Sequence, residues 1–174
     1  MMVINEKPFK VYLSVDQISA AVNGMADRMN LELKDKSPLF VIVLNGAFMF
    51  ASDLLKQISI DCGLSFVKVS SYEGLTSTSN VKQLIGLDED ISGRTVVIVE
   101  DIVDTGVTIE NIIKYLEAKN PGAIKIATLL HKPDALIRNV VLDYVGIEVE
   151  NKFLVGYGLD YDGRGRNLQD IYIL

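Results

Sequence analysis

Apolar and polar positions alternate with two different rhythms along the chain. Ser14-Val15-Asp16-Gln17 has the form of a helix-capping box, and Ile18, Val22, Met25 and Met29 follow at helical spacing, so an amphipathic helix is expected to start there. Leu39 to Leu44 is an unbroken, β-branched apolar run, the pattern of a strand covered on both faces. Asn45-Gly46 interrupts it, and a second helix is expected from Ala47 to Ile58. Leu64 to Tyr72 reads as another strand. Glu73 to Asn80 is polar and rich in Ser and Thr, which suits a mobile loop, and Val81 to Leu87 turns apolar again.

The unit then recurs. Thr95 to Glu100 is an expected strand and Asp101 to Thr108 a turn, after which Ile109, Ile112, Ile113 and Leu116 mark one helix face that Pro121-Gly122 stops. Ala123 to Leu130 is the next strand. Strands alternating with helices at this spacing predict an α/β fold with a mostly parallel sheet flanked by helices. From Val140 onward the short strand-like pieces Val145 to Val149, Phe153 to Tyr157 and Asp170 to Leu174 have no helices between them, so this C-terminal segment is expected to form a small hood or flap beside the sheet. No linker, repeat or low-complexity tract divides the chain, and residues 1–174 are expected to form a single domain.

Composition narrows the function. The 174 residues are 49% hydrophobic and 23% charged, enough for a core without metal or disulfide staples and far from a disordered chain. Seventeen Lys and Arg against 23 Asp and Glu leave a net charge of −6, which repels nucleic acid and anionic membranes; neither is an expected partner. An anionic substrate must then meet a local cradle or a metal. One cysteine, Cys62, and one histidine, His131, supply neither an intrachain disulfide nor a Cys/His zinc site, so oxygen ligands would hold any metal. No apolar run approaches the ~20 residues that span a bilayer. The charges at Glu6, Lys7 and Lys10 leave no room for a secretory segment, and the cytoplasm is the expected location.

The most informative stretch is Val96 to Thr108. In an open α/β sheet, ligands bind beyond the carboxyl ends of the strands, where Glu100 and Asp101 fall. The turn Asp104-Thr105-Gly106-Val107-Thr108 leads into a helix, so backbone N–H groups and two hydroxyls converge at the positive end of its dipole: a phosphate cradle. Gly106 lets the backbone close around an anion, and Thr108 is a candidate helix cap. A ribose phosphate reconciles three acids with an anion cradle. Its phosphate takes the turn, its vicinal hydroxyls meet Glu100 and Asp101, and positive charge developing at the anomeric carbon is stabilised. Asp104 is then placed to handle a proton. Taken singly, each acid would more often solvate a strand end or cap a helix; the ordered combination is what points to a site.

In the segment Glu100-Asp101-Ile102-Val103-Asp104-Thr105-Gly106 the sequence resembles the 6-oxopurine phosphoribosyltransferases, and more closely their hypoxanthine-guanine branch. That family joins a purine base to the ribose of 5-phosphoribosyl 1-diphosphate, releasing diphosphate with magnesium bound, on the type I phosphoribosyltransferase fold. The resemblance implies that Glu100 and Asp101 bind ribose and attend the metal, that Asp104 is catalytic beside the base, and that Asp104 to Thr108 hold the 5′-phosphate. Leu129-Leu130-His131-Lys132-Pro133 matches the segment whose lysine donates to the oxygen at C6 of the base. Phe153-Leu154-Val155-Gly156-Tyr157-Gly158-Leu159-Asp160-Tyr161 matches the segment whose phenyl ring stacks on the purine, with Leu154 beside it and Asp160 as a magnesium ligand. Arg166 matches an arginine that reaches the diphosphate. Leu44-Asn45-Gly46-Ala47 matches the diphosphate loop, with Asn45 where many relatives carry Lys or Arg, so Asn45 and Gly46 would act there through backbone donors. Ser71-Tyr72 matches the start of a lid that closes during reaction, in keeping with the polar stretch that follows.

The resemblance thus implies purine salvage: inosine or guanosine monophosphate made from hypoxanthine or guanine, Mg²⁺ as cofactor, small-molecule substrates, and a homo-oligomer, dimer or tetramer. Two other readings compete. A non-catalytic nucleotide sensor on the same scaffold would not need Asp104 and shows no basic cluster for RNA. A phosphate-accepting signalling domain would not carry the Thr-Gly-Val-Thr turn directly after the acids. His131 and Cys62 receive no role.

Overall fold

A computed structural model describes residues 2–4, 6–71 and 81–174. In chain order these residues form β1 (Met2–Ile4), β2 (Lys7–Leu13), α1 (Val15–Glu32), β3 (Leu39–Leu44), α2 (Phe48–Gln57), β4 (Gly63–Ser71), β5 (Val81–Ile85), β6 (Thr95–Val103), α3 (Val107–Glu117), β7 (Ala123–His131), β8 (Tyr144–Glu148), β9 (Leu154–Val155) and β10 (Ile171–Ile173). A short 3₁₀ turn, Pro133–Ala135, follows β7. The capping box forms as the sequence predicts: Gln17 N donates to Ser14 Oγ at 3.4 Å and Ser14 N to Gln17 Oε1 at 2.9 Å.

The large sheet has the order β5-β4-β3-β6-β7-β8, with β5 antiparallel at one edge and the other five strands parallel. The unbroken apolar runs of β3 and β6 follow from burial on both sides. Phe40, Ile42, Val97 and Val99 pack under α1 and α2, while Val41, Val43, Val96 and Ile98 pack against Ile109, Ile112 and Leu116 of α3. Because β3, β6 and β7 run parallel and in register, the segments that leave their carboxyl ends emerge side by side on one edge. That alignment assembles the site.

A second, antiparallel sheet forms the hood, in the order β1-β2-β10-β9. Its composition differs from the sequence expectation. Tyr144–Glu148 pairs parallel with β7 and belongs to the main sheet, whereas the N-terminal hairpin, for which no strand was expected, supplies two hood strands. Along β2 only Phe9 and Leu13 are buried, so the alternation is too sparse to announce a strand. The hood has a small core of Ile4, Phe9 and Val155. Strand β6 runs through Asp101 to Val103, three residues beyond its expected end at Glu100. Ser71 closes β4; Tyr72 and the polar stretch 73–80, with the lid expected there, lie outside the described residues.

Candidate active site

Glu100 and Asp101 sit near the end of the central strand β6. Glu100 is only 6% exposed, lodged beside Thr128 of β7, and Asp101 is half-buried. Burial first, and the neighbouring Asp101 charge second, hold the Glu100 carboxyl well above its ordinary proton affinity; burial also raises Asp101, which the Arg166 guanidinium partly offsets. Two such acids side by side form a site that a cation or a pair of hydroxyl donors would relieve. Asp101 is fixed by Ile102 N, which donates to its Oδ1 at 2.8 Å, and by Gly46, where a Cβ would overlap the carboxylate. Gly46 thus brings the loop after β3 against Asp101; Asn45 is exposed beside it, after a cis Leu44–Asn45 peptide. Gly158 closes the other side, since a Cβ there would meet the Gly46 carbonyl.

Beyond the acids lies a cavity of about 300 Å³ lined by Glu100, Asp101, Asp104, Thr105, Gly106 and Thr108, among others. Gly106 caps α3 with a positive φ of 82°, a conformation glycine adopts without strain. The cap has no side-chain acceptor for the helix, so the expected capping by Thr108 does not occur; Thr108 lies inside the first turn and lines the cavity. Val107 begins the helix, its N–H donating to Thr105 Oγ1 at 3.4 Å. The first N–H groups of a helix have no intrahelical acceptor, so this end can receive an anion. The turn is held from behind by Ile137 N and Arg138 N, which donate to Thr105 O at 3.1 and 3.2 Å.

The other flank of Asp101 opens into a cavity of about 240 Å³ lined by Ile102, Asp104, Lys132, Phe153, Leu154, Leu159, Asp160 and Arg166. Lys132 is buried and its ammonium donates to Asp104 Oδ2 at 3.0 Å. Leu154 is buried in β9, while the Phe153 ring is exposed at the mouth. Arg166 ties the far end together: it pairs with Asp160 Oδ1 at 2.6 Å and donates to Gly158 O at 2.6 Å, while Gly163 N donates to Asp160 Oδ2 at 2.7 Å. Residues 101, 102 and 104 line both cavities, which are two arms of one cleft.

The family model of the phosphoribosyl transferase domain matches residues 12–162. The chain belongs to the phosphoribosyltransferase family. It is 40% identical over 168 residues to the hypoxanthine-guanine phosphoribosyltransferase of Mycobacterium tuberculosis, covering 92% of this chain and 83% of that protein. With the enzyme of the same name from Bacillus subtilis it shares 39% identity over 166 residues, covering 95% of this chain and 92% of the relative. The crystal structure of a hypoxanthine phosphoribosyltransferase from Staphylococcus aureus superposes with a TM-score of 0.90 at 34% identity, covering 95% and 90% of the two chains.

For a phosphoribosyltransferase, a metal must be reconciled with the donors present. Among the described residues no three His, Cys, Asp or Glu side chains gather as a metal cage. Glu100 and Asp101, whose burial disfavours their charged forms, suit a hard cation that brings most of its oxygen ligands with a phosphate-bearing substrate. Asp160 already has both oxygens engaged, by Arg166 and Gly163 N. Sequence reasoning missed Ile102 and Leu159 in the arm that Lys132 and Phe153 line. Ile102 was hidden because β6 was ended three residues too early; Leu159 has no local signature and reaches the cleft through the hood's turns.

Proposed function

We propose that the cleft of this purine-salvage phosphoribosyltransferase binds 5-phosphoribosyl 1-diphosphate along the edge running from Thr105 to Gly46 and a 6-oxopurine base between Phe153 and Lys132. The observation that carries the reading is the continuity of the two arms through Asp101, Ile102 and Asp104, so that a ribose over Glu100 and Asp101 has its phosphate on one side and its anomeric carbon facing the base on the other. Asp104, Thr105, Gly106, Val107 and Thr108 receive the 5′-phosphate through backbone and hydroxyl donors. Asn45 and Gly46 with Arg166 receive the diphosphate.

In the reaction the bond from the anomeric carbon to the diphosphate oxygen breaks and a bond to a base nitrogen forms. The diphosphate leaves with the electron pair, and the base proton passes toward Asp104 at the imidazole nitrogen. Lys132 holds the oxygen at C6, Phe153 stacks on the base beside Leu154, and Glu100 and Asp101 stabilise positive charge on the ribose. Magnesium bound with the diphosphate would supply charge neutralisation and orientation, and it would be held by Glu100, Asp101 and Asp160, the last by exchanging its Arg166 partner.

The main sheet and hood share this cleft, in keeping with one functional domain over residues 1–174. A homo-oligomer, dimer or tetramer, is supported by exposed Phe48 together with Leu64 and Phe66, which stand beside Phe40 and Ile42 on the sheet face that α2 covers. Among the described residues no helix is long and apolar enough to cross a membrane. A free, exposed Cys62 fits a reducing cytoplasm. Steady-state assays with hypoxanthine, guanine and adenine, each with 5-phosphoribosyl 1-diphosphate and Mg²⁺, test the reading. Turnover of the oxopurines with rejection of adenine is expected; equal use of adenine would overturn the base assignment.

A further inference from the structure

Phe153 is 49% exposed, yet its ring is not loose. The Tyr161 ring meets it edge-on, with centroids 5.5 Å apart and planes at 76°. Tyr161 in turn lies against Phe9 of β2, at 6.0 Å and 55°, and the Lys7 ammonium sits 5.0 Å from the centre of the Tyr161 ring. Phe9 is 1% exposed, anchored with Ile4 and Val155 in the hood core. The backbone of Tyr161 is pinned as well, through reciprocal hydrogen bonds with Arg164 of 2.9 and 3.1 Å. Tyr161 itself does not line the base arm of the cleft, whereas Phe153 does.

A chain of contacts therefore runs from the N-terminal hairpin, none of whose described residues lines either arm of the cleft, to the ring at its mouth. An exposed phenyl side chain loses rotamer freedom when it stacks on a ligand, and a neighbour that already holds it removes part of that cost. Edge-to-face contact fixes the ring plane, and the cation above Tyr161 holds the supporting ring in turn.

We propose that Tyr161 is a positioning residue for the purine base, acting through Phe153 and braced by Phe9 and Lys7 of the N-terminal hairpin. The inference rests on the reading that the base stacks on Phe153. It assigns to the hairpin a share in base affinity and none in ribose-phosphate binding, because the phosphate turn and the diphosphate loop belong to β6–α3 and β3–α2.

The test is a kinetic cycle on the full chain with Phe153→Ala, Tyr161→Leu, Tyr161→Phe and the Phe153→Ala/Tyr161→Leu double variant. KM is read separately for hypoxanthine and for 5-phosphoribosyl 1-diphosphate, since KM does not depend on how much of a preparation is folded. Tyr161→Leu is expected to raise KM for hypoxanthine roughly 3- to 10-fold, the scale of one aromatic pair, and to leave KM for 5-phosphoribosyl 1-diphosphate in place. Tyr161→Phe keeps the ring and should restore the wild-type value. In the Phe153→Ala background Tyr161→Leu should add nothing. The same rise in both backgrounds, or a rise in both KM values, overturns the proposal, as does an unchanged base KM in Tyr161→Leu when Phe153→Ala has raised it. An unchanged base KM in Phe153→Ala would instead remove the stacking reading beneath it. Should Tyr161→Leu not fold, Phe9→Leu takes its place, with a smaller rise in base KM alone as the supporting result and no rise as the contrary one.

Discussion

Lys132 and Asp104 meet at 3.0 Å across the gap between the end of β7 and the turn after β6. The pair is lopsided: the lysine side chain is 9% exposed and the aspartate 43%. A base entering as proposed would find a buried ammonium and a partly open carboxylate already side by side. A 6-oxopurine carries its C6 oxygen next to an imidazole nitrogen on one edge, which matches a donor beside a proton-exchanging group.

Lys132→Ala removes that donor. A charged hydrogen bond contributes about 1.5–3 kcal/mol, so kcat/KM for hypoxanthine is expected to fall roughly 10- to 100-fold. The clash between ammonium and the adenine amino group disappears with it, and the ratio of hypoxanthine to adenine efficiency should narrow. A mutant that lost activity with an unchanged ratio would place base reading elsewhere.

Asp104→Asn keeps the shape of the turn and an acceptor for Lys132 but cannot take a proton. Where chemistry limits the rate, kcat is expected to fall on the order of 10²- to 10⁴-fold. The dissociation constant of 5-phosphoribosyl 1-diphosphate, measured by calorimetry, should stay close to wild type.

Glu100 carries a stability cost that depends on pH. Its folded proton affinity lies above the ordinary value of 4.5. The native state therefore holds more protons than the unfolded chain between that value and the folded one, and stability falls as pH rises through this window. Below the window both states are protonated and the cost is absent. Glu100→Gln cannot ionise, so thermal scans should show a flatter pH profile and a higher Tm at neutral pH, about 2–4 °C for each kcal/mol recovered, together with loss of turnover.

Gly46→Ala puts a methyl group where the Asp101 carboxylate lies. Displacing Asp101, proposed to orient the ribose, by about 1 Å is expected to lower kcat/KM on the order of 10²-fold. KM for 5-phosphoribosyl 1-diphosphate should carry the larger part, and near wild-type kinetics would separate Asp101 from ribose binding.

Chelation offers a test of the metal. Exhaustive treatment with EDTA should abolish turnover and added Mg²⁺ should restore it, as expected of a hard cation bound largely through substrate phosphates. Full activity in the chelated enzyme would contradict the scheme.

Much of the architecture was legible along the chain because two-sided burial writes itself locally. Leu39–Leu44 and Val96–Val99 are continuous apolar runs because both faces of β3 and β6 are covered, and Ser14 with Gln17 encodes a cap within one helical turn. The acids, threonines and glycine of residues 100–108 were also legible as a group, since a strand end, a glycine turn and a helix start occupy nine consecutive positions.

Choice of partner was not. Tyr144–Glu148 carries the same short alternation whether it joins the main sheet or the hood, and only the space beside β7 decided it. The hairpin of β1 and β2 becomes part of the hood because β10, from the other end of the chain, offers it an edge. The pairing of Lys132 with Asp104, the fit of Asp101 against Gly46 and the bracing of Phe153 by Tyr161 and Phe9 each join segments far apart in sequence. Periodicity reports how much of a residue is covered; what covers it is settled when parallel strands come into register and bring their carboxyl ends to one edge.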